Sequence, residues 1–228
     1  MLQKILASVV MSTVVATSAA APPYRPYSDT SANRIYNLLF CDSAADFRRK
    51  AGETPAHWQS VLEAEPADPA ALRALANDER EDGRARYLAY ATMRRLGEPV
   101  TAKRLLGVIV EVPLPGGLDV LAAYSEGSVR YINQTGKLAF YERVESLSPL
   151  VQKLFAASAP VVARIGPTDL PRLPPPQGEK VRITFLVSDG FYFGEGEMAP
   201  MQQDALAGPV IRSATELLQA AVALIPRK

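Results

Sequence analysis

The chain has 228 residues, a length that suits one large domain or two small ones. Apolar residues make up 48% and charged residues 21% of it, as in ordinary globular proteins, which excludes a disordered chain, a collagen and a coiled-coil rod. The net charge is only +1, whereas a protein that binds nucleic acid through its phosphates carries a basic excess. The sequence therefore predicts a folded protein that has no nucleic-acid partner.

The first 30 residues predict either a disordered tail or a weak signal peptide. Lys4 precedes a mostly apolar run, residues 5–16, and small residues at 18–20 could supply a cleavage site. The run is too short to span a bilayer, so we expect no membrane span. Met11 is an alternative start. A cytoplasmic protein is the favoured interpretation, and a periplasmic or secreted protein remains the alternative.

Residues 31–104 predict a helical subdomain. Asp68-Pro69 combines an N-cap residue with proline at the first helical position, where the missing N–H costs nothing. Apolar residues then recur every three or four positions in the segments 69–78 and 82–96, which is the pattern of two short amphipathic helices.

Residues 105–228 predict an antiparallel domain of class α+β, with about six strands. From Leu106 onward, short runs with period-two alternation are separated by X-Gly pairs, which are typical of hairpin turns. Two-residue turns would place Ala122 opposite Tyr131 and Tyr131 opposite Phe140, on the bulkier face, which we expect to point to the core.

A second hairpin is predicted at Asp189-Gly190, where a two-residue turn would pair Arg182 with Glu197. Two long helical patterns, residues 148–165 and 206–225, can cover one face of the sheet.

Proline modifies two of these segments. Because Pro160 falls inside the first long helical pattern, we expect a kink or a break near Ala159. Residues 171–178 predict an extended polyproline connector that lies on the surface or docks a partner.

Few residues can carry chemistry. The only cysteine, Cys41, ends an apolar helical stripe and is predicted to be a core residue. The only histidine, His57, has hardly any partners for a triad or a metal site. We therefore predict no catalytic residue, no metal ion and no cofactor.

Segment 190–197 has the most unusual composition. Gly194 and Gly196 weaken a strand unless a bulge, a bend or an approaching group needs the space, and no phosphate-binding glycine motif is complete. The segment predicts either a bulged edge strand or a groove for a ligand or partner. In the second interpretation the predicted binding residues are Arg130, Tyr141, Asp189, Tyr192, Gly194, Glu195 and Gly196.

Longer strings of the sequence resemble those of a family of uncharacterised bacterial proteins. They include VRYINQTGK at residues 129–137 and VRITFLVSDGFYFGEG at residues 181–196. The resemblance covers most of the chain from about Asn33 onward. No activity is attached to that family, so the resemblance implies no catalytic role for any residue. Because the family begins close to the segment at Asn37, the resemblance favours a cytoplasmic protein.

Two hypotheses about function follow. The first, which we prefer, is a non-enzymatic protein-interaction or binding module with a protein partner, because the sheet has free edges and the chain lacks a nucleophile–base set. The second is a small-ligand-binding protein or an enzyme that uses the Asp189–Glu197 hairpin with Arg130 and Tyr141, and it requires these groups to converge in one concave pocket. An exported periplasmic protein of unknown role is a third alternative, and the oligomeric state stays open.

Overall fold

The computed structural model describes residues 23–48 and 52–226, so the predicted tail or signal peptide lies largely outside the described residues. Within this part the chain forms seven α-helices and six strands. The helices are α1 (Thr30–Leu38), α2 (His57–Glu63), α3 (Pro69–Asn77), α4 (Gly83–Arg95), α5 (Ser148–Arg164), α6 (Met198–Gln203) and α7 (Ala207–Ala223). The strands are β1 (Leu105–Leu114), β2 (Gly117–Tyr124), β3 (Val129–Ile132), β4 (Leu138–Tyr141), β5 (Lys180–Val187) and β6 (Gly190–Glu197).

All six strands form one antiparallel sheet in the order β4-β3-β2-β1-β5-β6. The predicted α+β fold with a six-stranded antiparallel sheet is therefore confirmed. Strands β2 and β1 lie at the centre, whereas β4 and β6 form the two edges.

The sheet is covered on both faces. Face A packs against α1, α3 and α4, and face B packs against α5 and α7. The core under face A includes Tyr36, Leu72, Leu88, Ile109, Val120 and Ala122, and the core under face B includes Val108, Leu121, Leu154, Ile183, Phe185 and Leu217. The two long helices cover one face, as predicted, and the N-terminal helices add a third layer on the other face.

The third layer follows from the sequence of the central strands. Neighbouring residues Val108 and Ile109 point to opposite faces and are both fully buried. A sheet that is apolar on both faces needs cover on both, so segment 31–104 shares a core with segment 105–228.

The predicted register of β2, β3 and β4 is wrong by one residue. Ala122 lies opposite Arg130, and Arg130 lies opposite Phe140. A shift of one residue exchanges the faces, so Tyr131 lies on face B, whereas Phe140 lies on face A with 48% of its surface exposed.

Loop length explains this shift. The N–H of Tyr124 donates to the carbonyl of Ser128, so the β2–β3 loop is longer than two residues. Between β3 and β4, the N–H of Asn133 donates to the carbonyl of Lys137, and Gly136 adopts a φ of +81° in the resulting three-residue loop.

The register of β5 and β6 also differs from the prediction. Ser188 and Asp189 form the turn, because Val187 pairs with Gly190. Arg182 therefore lies opposite Glu195 and not opposite Glu197. A shift of two residues leaves each side chain on its predicted face.

Helix α5 continues through Pro160 to Arg164, so the predicted break does not occur. Pro160 is exposed, and its ring therefore lies on the solvent side of the helix. The segment that follows, residues 166–179, is hereafter called the connector. It leads from α5 to β5 without regular secondary structure.

Candidate functional site

The predicted binding residues fall into two groups that the structure does not bring together. Arg130 and Tyr141 lie on β3 and β4, whereas Asp189 and the other predicted residues belong to the β5–β6 hairpin. Four strand spacings, about 19 Å, separate β3 from β6. This separation gives no support to a single pocket formed by both groups.

Most polar groups of the hairpin group have partners nearby, although Oδ1 of Asp189 is buried without a hydrogen bond among the described residues. The hydroxyl of buried Tyr192 donates to Oδ2 of Asp189 at 2.8 Å, and the ammonium of Lys103 lies 5.1 Å from the Tyr192 ring centre. Desolvation and the neighbouring Asp189 carboxylate raise the pKa of Tyr192 well above its ordinary value. These contacts hold the hairpin, and Tyr192 points into the core of face B.

The two glycines of β6 have different surroundings. A Cβ at Gly196 would lie 3.0 Å from the sulfur of Met201, so a larger residue here would have to displace the Met201 side chain of α6 by a few tenths of an ångström. A Cβ at Gly194 would meet nothing within 4 Å.

Glu195 is half-buried and belongs to a row of charged side chains under face A, in which Arg182 and Glu111 are buried. Nε of Arg182 donates to Glu195 at 2.9 Å, and Nη1 of Arg182 lies 3.7 Å from Oε2 of Glu111. The hydroxyl of Tyr36 donates to Oε1 of Glu111 at 2.7 Å. Desolvation raises the pKa of the fully buried Glu111, although Tyr36 and Arg182 oppose the shift.

Sequence reasoning missed the Glu111–Arg182 pair. The signal that could have revealed it is the interior position of β1 and β5, which each have a neighbouring strand on both sides: charged residues at these register positions must be buried once both faces are covered.

Arg130 and Tyr141 hold the edge strand β4 in place. The buried guanidinium of Arg130 donates to Glu142 at 2.6 Å and lies 5.5 Å from the ring centre of Phe140. The hydroxyl of Tyr141 donates to the carbonyl of Ala221 in α7, and burial raises the pKa of Tyr141. Both predicted residues thus act on the same edge of the sheet.

The outer side of β4 presents unpaired backbone groups. The N–H of Asn133 donates to the carbonyl of Lys137, so these two residues form a hydrogen-bonded pair. Hydrogen-bonded and non-bonded pairs alternate along an antiparallel ladder. The next hydrogen-bonded pair is therefore Tyr131 with Ala139. The backbone groups of Leu138 and Phe140 then point away from β3. Among the described residues, no backbone hydrogen bond from a loop or turn reaches them.

An apolar groove of about 370 Å³ lies beside this open edge. Its lining includes Tyr131, Leu138, Phe140, Tyr141, Leu224 and Ile225. Leu224 and Ile225 at the end of α7 are 44% and 43% exposed. Large apolar side chains that gather at a sheet edge are typical of an interaction site.

The remaining candidates carry no catalytic set. Cys41 is buried, as predicted, and burial raises its pKa well above the ordinary value for a thiol. His57 is exposed, with Nδ1 at 3.6 Å from a carboxylate oxygen of Glu81. In the described part of the chain, no cluster of three metal-ligating side chains occurs, and no helix there has the length and apolarity that a membrane span requires.

Comparisons with known proteins add nothing to this geometry: no family model matches the chain, and no curated protein matches it in sequence. The resemblance to bacterial proteins stays a prediction.

Proposed function

We propose that the protein is an interaction module that binds an extended segment of a partner protein along the edge strand β4. One observation carries this proposal: the outward backbone groups of Leu138 and Phe140 lie beside an apolar groove. Strand addition draws its affinity from main-chain hydrogen bonds and its specificity from pockets for alternate side chains.

The geometry defines the chemistry of the partner segment. Side chains of an added strand alternate between the two faces of the sheet. On face B they would meet the groove beside Tyr141 and Ile225, and on face A they would meet the exposed ring of Phe140. The partner segment is therefore apolar at successive positions, and Lys137 at the rim favours a carboxylate at one end.

A pair of variants at one position tests the proposal. Phe140→Pro removes the outward N–H that an added strand would bond, whereas Phe140→Ala removes the ring and keeps that N–H. Peptides selected from a random library on the full chain are expected to carry apolar residues in register. We expect Phe140→Pro to weaken their binding at least tenfold more than Phe140→Ala does.

Two results would contradict the proposal. One is a selection that yields no binder, and the other is a set of binders equally affected by both variants. Amide shifts in the NMR spectrum locate the site, because strand addition must move the signals of Leu138 and Phe140 most. Sedimentation of the full chain without peptide measures self-association, and loss of that association in Phe140→Pro would show that a second copy of β4 is itself the added strand.

A further inference from the structure

The side chain of Arg172 occupies a site built for one guanidinium group. Only 2% of the side chain is exposed. Nε and Nη2 both donate to Oδ2 of Asp42, at 2.9 and 2.7 Å, and Nη2 also donates to Oδ1 of Asn37 at 2.8 Å. Nη1 reaches the hydroxyl of Tyr36 at 3.4 Å. All three nitrogens of the planar guanidinium thus have a partner, which the single nitrogen of an ammonium group would not reproduce.

Aromatic rings enclose the same group. The guanidinium carbon lies 4.2 Å from the ring centre of Phe40, 4.9 Å from that of Tyr24 and 5.3 Å from that of Tyr36. Cations within about 6 Å of a ring face are attracted to it, and more strongly when water is excluded. A carboxylate, an amide and three rings thus converge on one cation.

The site and its occupant come from distant parts of the chain. All five side chains that form the site lie within residues 24–42, and we call this set the guanidinium site. Its occupant belongs to the proline-rich connector, about 130 residues further along. The hydroxyl of Tyr24 also donates to the carbonyl of Arg172 at 2.8 Å, so the site contacts the backbone of its occupant.

Arg172 is the main attachment of the connector to the rest of the protein. Arg172 and Pro176 are the buried residues of segment 166–179, and Leu170 and Leu173 are 64% and 37% exposed. The other hydrogen bonds of the connector to the sheet include Thr168 N–H to the carbonyl of Phe191 and Arg182 to the carbonyl of Leu173. A segment with so little buried apolar surface opens at a lower free energy than the core does.

We infer that residues 24–42 form a second binding site, for an arginine side chain in a proline-rich extended segment, and that the connector blocks it as a tethered ligand. The sequence Pro171-Arg172-Leu173-Pro174-Pro175-Pro176 is itself such a segment. Extended proline-rich segments lose little entropy on binding. Here the arginine within the segment is the group that the aromatic rings contact.

Access and competition follow from the geometry. A cleft of about 650 Å³, lined in part by Tyr24, Asn37 and Asp42, opens beside the guanidinium site. A tethered ligand competes at a high effective concentration, so a partner binds the wild-type chain only in proportion to the fraction with a released connector. Release of Arg172 would therefore regulate this site.

The experiment uses the full chain with Arg172→Ala and the acetylated, amidated peptide PRLPPP as the probe. Titration calorimetry is expected to give at least tenfold tighter binding to Arg172→Ala than to the wild type, because the site is vacated. A peptide with lysine in place of arginine is expected to bind at least tenfold more weakly, since an ammonium lacks the fork. Adding Asp42→Asn to Arg172→Ala should abolish binding. Adding Phe140→Pro to Arg172→Ala should instead leave peptide binding unchanged, which separates the guanidinium site from the open edge of β4.

Several outcomes would overturn the inference. Folded Arg172→Ala that binds no peptide would do so, and so would equal binding of the arginine and lysine peptides. If Arg172→Ala does not fold, Arg172→Gln is titrated in its place, because an amide keeps one hydrogen bond to Asp42. If neither variant folds, the arginine is an indispensable part of the core and the tethered-ligand assignment is wrong.

Discussion

The two faces of the sheet are stabilised by different chemistry. Face B packs against α5 and α7 through aliphatic side chains such as Leu154 and Leu217. An ion pair between these two helices, Lys153–Glu216, lies at the exposed surface. Face A holds Glu111 and Arg182 in its interior, where they contact α1 and the connector.

This difference shows in which parts of the molecule the stability depends on a single contact. Aliphatic packing is non-directional and tolerates changes that keep the volume. A buried charge has a few permitted partners and costs several kcal/mol when one of them is removed. Face A therefore depends on specific side chains and on pH, whereas face B depends on buried volume.

The largest effect is expected when the buried ion pairs of face A lose their shared cation. Arg182→Met leaves Glu111 buried without an opposite charge at close range and removes the main partner of Glu195. We expect the free energy of unfolding to fall by about 3–5 kcal/mol, measured by urea denaturation.

A double variant provides the matched control. Arg182→Met combined with Glu111→Met removes both charges, and we expect it to recover part of the lost stability, because an apolar pair needs no charge partner. A loss below about 1 kcal/mol for Arg182→Met would show that the buried pair does not specify face A.

The pH dependence of stability is expected to distinguish the faces as well. Because burial raises the pKa of Glu111, the native state binds more protons than the unfolded state between the ordinary carboxyl pKa and the raised value. The contribution of Glu111 to the free energy of unfolding is therefore present at low pH and is lost as the pH rises through this window. Glu111→Gln removes the titration and keeps an acceptor for Tyr36.

Urea denaturation of wild type and Glu111→Gln between pH 4 and 8 tests this sign. The stability of Glu111→Gln relative to wild type should rise with pH across the window. Tyr36, Arg172, Arg182 and Glu195 are the charged or titratable groups that shift this carboxyl, and all are retained in the variant. Leu217→Ala, which removes buried volume from face B and no titratable group, should lower the stability by an amount that does not change across the same window. A parallel course for both variants would contradict the prediction.

The fold class could be predicted from the sequence because it depends on periodicity. Alternation between Val181 and Val187 predicts β5, and helical spacing between 206 and 225 predicts α7, which spans Ala207–Ala223. The registers were wrong because they depend on loop length. One extra residue in the β2–β3 loop, with Gly127 in the left-handed region, moved Tyr131 to the opposite face.

The sites were harder to predict than the fold. Arg130 and Tyr141 were predicted as binding residues, and they lie near the open edge. Their side chains, however, bond to Glu142 and to the carbonyl of Ala221 of the same chain, and these contacts hold β4 in place. Arg172 was missed as an anchor, because its partners Tyr24 and Asp42 lie about 130 residues or more away in sequence. Periodicity gives no signal for a contact between two irregular segments.

The smallest effect is expected at the ion pair of face B. Lys153 and Glu216 are 55% and 44% exposed, so water and salt screen their attraction. Lys153→Ala should lower the free energy of unfolding by no more than about 1 kcal/mol, and 1 M salt should remove the difference from wild type. Urea denaturation at both salt concentrations measures this. A loss above about 2 kcal/mol would mean that face B also relies on a specific ionic contact, and the two faces would then no longer differ in kind.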